Sequence, residues 1–243
     1  MKKKIGLAVA GALVALLPLA AAYAAITNSK HDLSAASTAV VKSTGTDQIC
    51  VFCHTPHKAQ STQVLWNHSA SATASVNWGG VTQTSGGTNL PTNISTRSMR
   101  CLSCHDGSVA LGDVTNFGGA AASLAMSGAG QTAGKLTDAY YVIGASGNLG
   151  GNHPVGIPYP GQSGAYNGIS TTVTSGSGTG YVAAATLTGS ATTTVKLFAD
   201  ATTPTVVGVE CGSCHDVHNS QSLPALLWKD NAGSALCLSC HQK

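Results

Sequence analysis

The chain has 243 residues, with 29 glycines, eight cysteines, only 5% aromatic residues and only 9% charged ones. Twelve basic residues stand against nine acidic ones, and three of the basic ones form the run Lys2-Lys3-Lys4. This balance excludes a polybasic nucleic-acid surface, the length allows one or two domains, and the Gly/Ala/Ser/Thr-rich composition taken alone resembles a low-complexity segment.

The N-terminus reads as an export signal. Lys2-Lys3-Lys4 precedes an apolar run from Ile5 to Ala22, which ends in the small-x-small triplet Ala22-Tyr23-Ala24. Residues 1–24 are therefore expected to be a cleaved signal peptide. The alternative is a retained anchor, but the run contains Pro18, is Ala-rich and is not followed by a stop-transfer pattern. Cleavage would leave nine basic and nine acidic residues. A chain so close to neutrality is prone to associate. No later stretch is apolar enough to span a bilayer.

From residue 25 to residue 105 the chain carries two copies of one pentapeptide, Cys50-Val51-Phe52-Cys53-His54 and Cys101-Leu102-Ser103-Cys104-His105. Two more copies, Cys211-Gly212-Ser213-Cys214-His215 and Cys237-Leu238-Ser239-Cys240-His241, fall between residues 211 and 243. Every cysteine of the chain lies in one of the four. In a helical turn, residues three and four apart share a face. Both sulfurs can then reach the two vinyl groups of one porphyrin, while the following imidazole binds its iron. Structural zinc or a disulfide framework would also use cysteine pairs. Neither explains a histidine after each second cysteine. The expectation is four covalently bound haem c groups, with His54, His105, His215 and His241 as proximal iron ligands.

The two motif pairs look like repeats. The first runs through His57 and Leu65-Trp66 to its second pentapeptide, and the other through His218 and Leu227-Trp228. Each Leu-Trp pair reads as haem-packing surface. Trp78 has no counterpart. Residues 25–105 are thus a first dihaem unit and 211–243 a second. Residues 106–210 form a Gly/Ser/Thr-rich region of loops with short surface strands, the β-prone runs being Tyr140–Ile143, Tyr181–Leu187, Thr192–Phe198 and Thr205–Val209. The expected fold class is a multihaem cytochrome c. Its backbone is mostly irregular, with short helical turns at the motifs, a few β-hairpin strands and a core organised by haem. Asp106 and Asp216, each directly after a motif histidine, read as turn caps.

Four irons need four more axial ligands. Five histidines are available, His31, His57, His68, His153 and His218, and Met99 and Met126 compete with them. His57 and His218 sit three residues after a proximal histidine, so one turn serves two irons. His153 lies in Gly151-Asn152-His153-Pro154, a stiff loop. His31 lies on a short arm that could reach a neighbouring subunit. Bis-histidine iron has no open position, so the expected role is electron transfer rather than catalysis.

The segments Cys50-Val51-Phe52-Cys53-His54-Thr55-Pro56-His57, Leu65-Trp66-Asn67-His68, Cys101-Leu102-Ser103-Cys104-His105-Asp106-Gly107, Asn152-His153-Pro154-Val155-Gly156 and Cys214-His215-Asp216-Val217-His218 resemble the extracellular multihaem cytochromes of metal-reducing bacteria. The likeness is greatest to the OmcE-type tetrahaem cytochromes that polymerise into nanowires. The resemblance implies a homopolymer with a continuous haem chain, one iron completed by a neighbouring subunit's histidine, and His31 fits that donor. It implies an exported, extracellular or cell-surface location. Its partners would be other copies of the chain, other multihaem cytochromes and extracellular electron acceptors. A monomeric periplasmic carrier is the alternative, and a multihaem reductase a more distant one.

Overall fold

The computed structural model describes residues 26–59, 64–77, 89–170, 180–188 and 195–242. The expected signal peptide and Trp78 lie outside these residues, as does part of the run Thr192–Phe198.

The longest helix among them, α1 (Thr96–His105), carries the second pentapeptide. Ser95 caps it, its hydroxyl accepting the Ser98 N–H, and the Asp106 N–H closes the last turn onto the Leu102 carbonyl. Two small apolar clusters meet around this helix. Leu102 is fully buried with Ile94 and Leu149, flanked by Met99 and Val155. Cys104, two residues on and so on another face, packs against the cluster of Val41, Leu111 and Leu136.

The strands are short and antiparallel. β1 (Lys42–Ser43) pairs with β4 (Met126–Ser127), and β2 (Asp113–Phe117) with β3 (Ala120–Ser123). The latter hairpin turns at Gly118 and Gly119, both at positive φ, as a tight hairpin of two glycines requires. β5 (Gln131–Thr132) pairs with β6 (Lys135–Leu136), and β8 (Ala165–Tyr166) with β9 (Ile169–Ser170). The one three-stranded sheet among the described residues joins β7 (Ile157–Pro158), β11 (Val207–Val209) and β10 (Phe198–Ala199), with β11 in the middle. Two further short helices are α2 (Ala184–Thr188) and α3 (Cys211–Cys214).

Mostly irregular backbone, helical turns at the motifs and small strand pairs agree with the fold expected. Individual runs differ. Tyr140–Ile143 forms a turn, because Asp138 accepts the N–H groups of Tyr140, Tyr141 and Val142. Tyr181–Leu187 holds one bridge, from Tyr181 to His241, and then enters α2. The run Thr205–Val209 does contain a strand, β11. The 106–210 stretch is also more than surface. It supplies Leu136, Leu149, Tyr159 and Tyr166 to the buried set, since a chain with few aromatics and aliphatics must recruit them from everywhere.

The internal repeat is structural, but its register slips by one residue. In the first unit the N–H of Thr55 donates to Leu65 O and that of Asn67 to Cys53 O. In the second, Asp216 N donates to Leu226 O and Trp228 N to Cys214 O. Leu65 therefore matches Leu226, Trp66 matches Leu227, and Asn67 matches Trp228. The side chains agree: Asn67 Nδ2 donates to Val51 O, and Trp228 Nε1 donates to the equivalent Gly212 O. The two Leu-Trp dipeptides are not counterparts. Trp228 carries Lys196 Nζ over its ring at 3.5 Å, whereas Trp66 pairs by a backbone bridge with His54.

Candidate haem-binding site

Each pentapeptide is wound into a helical turn. The N–H of His54 donates to Cys50 O, of His215 to Cys211 O and of His241 to Cys237 O, while Cys101 to His105 lie within α1. This is the geometry that puts two sulfurs and an imidazole on one side of a plane. None of the eight cysteines is in a disulfide, and Cys50 and Cys237 are exposed. Burial, with the nearby Cys50, pushes the Cys53 thiol up to about 11, and burial pushes Cys214 likewise to about 11. Among the described residues no three His, Cys, Asp or Glu side chains converge as a metal-holding group, so the cysteine pairs are not set out as tetrahedral zinc sites.

The motifs follow one another in space. Cys104 is near enough to Cys53 for one charge to disfavour the other. Cys101 and Cys211 lie within electrostatic reach of each other, as do Cys214 and Cys240. A cleft of about 550 Å³ opens beside the first motif, lined by Cys50, His54, Pro56, Asn116 and Phe117 among others.

Three proximal imidazoles are held by backbone. His54 Nδ1 faces Val64 O, His105 Nδ1 faces Tyr141 O at 2.8 Å, and His215 Nδ1 faces Ala225 O at 2.9 Å. With the proton on Nδ1, the Nε2 lone pair is left for a metal. The repeat explains two of the three contacts. Val64-Leu65 and Ala225-Leu226 are equivalent pairs of non-glycine residues at positive φ, between +50° and +54°, which turn each carbonyl onto the histidine ring.

The described histidines form three ring pairs. His31 and His105 have ring centres 6.0 Å apart, His54 and His218 6.1 Å, and His153 and His241 6.3 Å. A metal bound by two imidazole nitrogens at about 2.0–2.1 Å each holds the ring centres roughly 6 Å apart. Each pair unites one proximal histidine with one of the candidate distal ones, so the residues fit a bis-histidine haem. His54 from the first unit meets His218 from the second. Asp216 holds that loop, accepting the N–H of His218 and of Ser220. Asp106 accepts the N–H of Ser108, so both aspartates are the caps expected.

Burial lowers the His31 imidazole to about 4, and the nearby His105, His215 and His218 add to the effect, while a contact of its Nδ1 with Val217 O opposes it. Its ring is neutral at physiological pH, with a lone pair available.

Among the described residues no second imidazole stands at that spacing from His57, His68 or His215. His57 is exposed, its carbonyl tied to Asn116 Nδ2 and Thr55 Oγ1. His68 is fully buried between two carbonyls, Ser69 O on Nδ1 and Ala110 O on Nε2. Burial lowers its pKa, so it is neutral and has one proton for two acceptors. Met99 packs in an apolar cluster, and Met126 against another.

Sequence reasoning missed the carbonyl holders Val64, Tyr141 and Ala225, which carry no side-chain signal. It also passed over Glu210, fully enclosed next to Cys211. Its signal was there to find, as Glu210 is the only glutamate of the chain.

Residues 203–243 match the family of the doubled CXXCH motif. The matched motif is that of covalently bound haem c, and it supports a haem-binding electron-transfer cytochrome. No curated protein matches the chain. No described helix is long and apolar enough to cross a membrane.

Proposed function

We propose that the chain is an exported tetrahaem cytochrome that passes electrons through four bis-histidine haems, working outside the cell as a polymer of identical copies. The observation that carries the reading is the set of three proximal–distal imidazole pairs at 6.0–6.3 Å, each including a CXXCH histidine. The contacts between successive motifs support a continuous relay from the first haem to the fourth. The haem supplies the redox chemistry; the chain supplies thioether anchors, axial nitrogens and the distances between rings.

What is left over supports the polymer. His31, expected as the donor to a neighbour, lies instead beside His105 of its own chain, and among the described residues His215 is the one motif histidine with no second imidazole at that spacing. A donor from another copy, or His57 of the same chain, would complete its iron. A monomeric periplasmic carrier is the second reading, and it requires the in-chain donor. The test is electron paramagnetic resonance of the secreted protein before and after dissociation, with negative-stain microscopy. Filaments that are wholly low-spin, and monomers with one haem in four turned high-spin, support the polymer. Discrete particles that are wholly low-spin at every concentration overturn it.

A further inference from the structure

Glu210 is 2% exposed. It precedes Cys211 and caps α3 through a reciprocal box with Ser213. Three hydroxyls converge on its carboxylate: Ser95 Oγ at 2.6 Å and Ser98 Oγ on one oxygen, Tyr166 Oη at 2.6 Å on the other. An ionised carboxylate only accepts hydrogen bonds, and three donors suit that form. Ser98 Oγ also accepts the Cys211 N–H, tying α1 to the third motif. The carboxylate is within electrostatic reach of both Cys101 and Cys211, which belong to the second and third motifs. Nearby cations are turned elsewhere or lie farther along the helix: Arg97 donates to Ala199 O and sits over the Phe198 ring, and Arg100 stands beside Cys101.

Burying a charge without a cationic partner is costly. A cap alone would need no buried carboxylate, since Ser or Thr caps as well. We propose that Glu210 is a positioning charge that sets the reduction potentials of the two central haems, those attached at Cys101/Cys104 and Cys211/Cys214. The inference rests on the haem reading above. Oxidation leaves a positive charge on the iron that reduction removes, so a fixed negative charge nearby favours the oxidised form and lowers the potential.

The test is spectroelectrochemical titration of secreted holoprotein carrying Glu210→Gln or Glu210→Asp. Glu210→Gln keeps the shape and loses the charge. At a fixed potential, the oxidised-to-reduced ratio of two of the four haems should fall about tenfold, equivalent to about 59 mV for one electron. Glu210→Asp should restore it. A Glu210→Gln protein with full haem content, a low-spin spectrum and an unshifted curve overturns the proposal. Wild-type protein without haem would instead overturn the reading beneath it. A measurement on the wild type covers a variant that fails to mature. With one glutamate in the chain, ¹³C-glutamate labelling gives a single infrared probe. An ionised-carboxylate band that shifts as the central haems are reduced supports the proposal. A band in the protonated-carboxyl region, or one unmoved by reduction, refutes it.

Discussion

His54 and His218 face each other across 6.1 Å although they come from opposite ends of the chain. On the proposed reading, the histidine that follows the third motif would serve the iron of the first. His218→Ala should open the iron at Cys50/Cys53, not the one at its own motif. One haem in four should turn high-spin and its potential should rise. Paramagnetic resonance combined with a Cys50→Ala/Cys53→Ala background, which removes that haem, checks the assignment. A high-spin signal that persists in this background places His218 elsewhere.

His57 and His68 are the expected distal histidines with no motif histidine at ligand-pair spacing among the described residues, and their surroundings separate them. His68→Ala removes a buried, hydrogen-bonded ring and should cost on the order of 1–3 kcal/mol of stability, with every iron still low-spin. His57→Ala, at an exposed site, should leave stability within about 0.5 kcal/mol. If it also leaves all irons low-spin in the isolated monomer, the donor is not His57.

The carbonyls that hold His54 and His215 depend on strained backbone. A non-glycine residue in the left-handed region costs about 1–2 kcal/mol, less the extra entropy a glycine loses on folding. Ala225, at φ +54°, is the cleaner test because no β-branch intervenes. Ala225→Gly should raise the melting temperature by a few degrees, for a gain of about 0.5–1 kcal/mol, with the haem spectrum unchanged.

Asp200 carries a pH dependence of its own. Burial pushes its carboxyl up, but the N–H groups of Asn167, Thr202 and Thr203 and the Thr202 hydroxyl outweigh this and hold it at about 2, against an ordinary 3.8. A carboxyl depressed on folding adds stability above its unfolded value and loses it as pH falls through the folded one. The turn before β11 should therefore weaken between about pH 4 and 2. Asp200→Asn should cost roughly 1–2 kcal/mol at pH 7 and flatten the acid limb of a denaturation curve.

Much of the proximal chemistry was legible in the sequence because it is local. A CXXCH turn is closed by its own backbone, as the hydrogen bond from His54 to Cys50 demonstrates. The distal partners were legible only as a pool, since His31 and His105 or His153 and His241 meet through tertiary structure. The Leu-Trp likeness misled by one residue because Asn67 and Trp228 make the same backbone contact with different chemistry. The core was obscured for a related reason. Its buried set includes Asn67 and Glu210, polar residues whose side-chain partners are distant in the chain.

The face-to-face placement of His54 and His218 has a bearing on biogenesis. Synthesis runs from the N-terminus, so the Cys50 motif emerges while its second imidazole has yet to be made. On the proposed reading, the iron of the first motif to be synthesised would be completed only once residue 218 has folded back onto it.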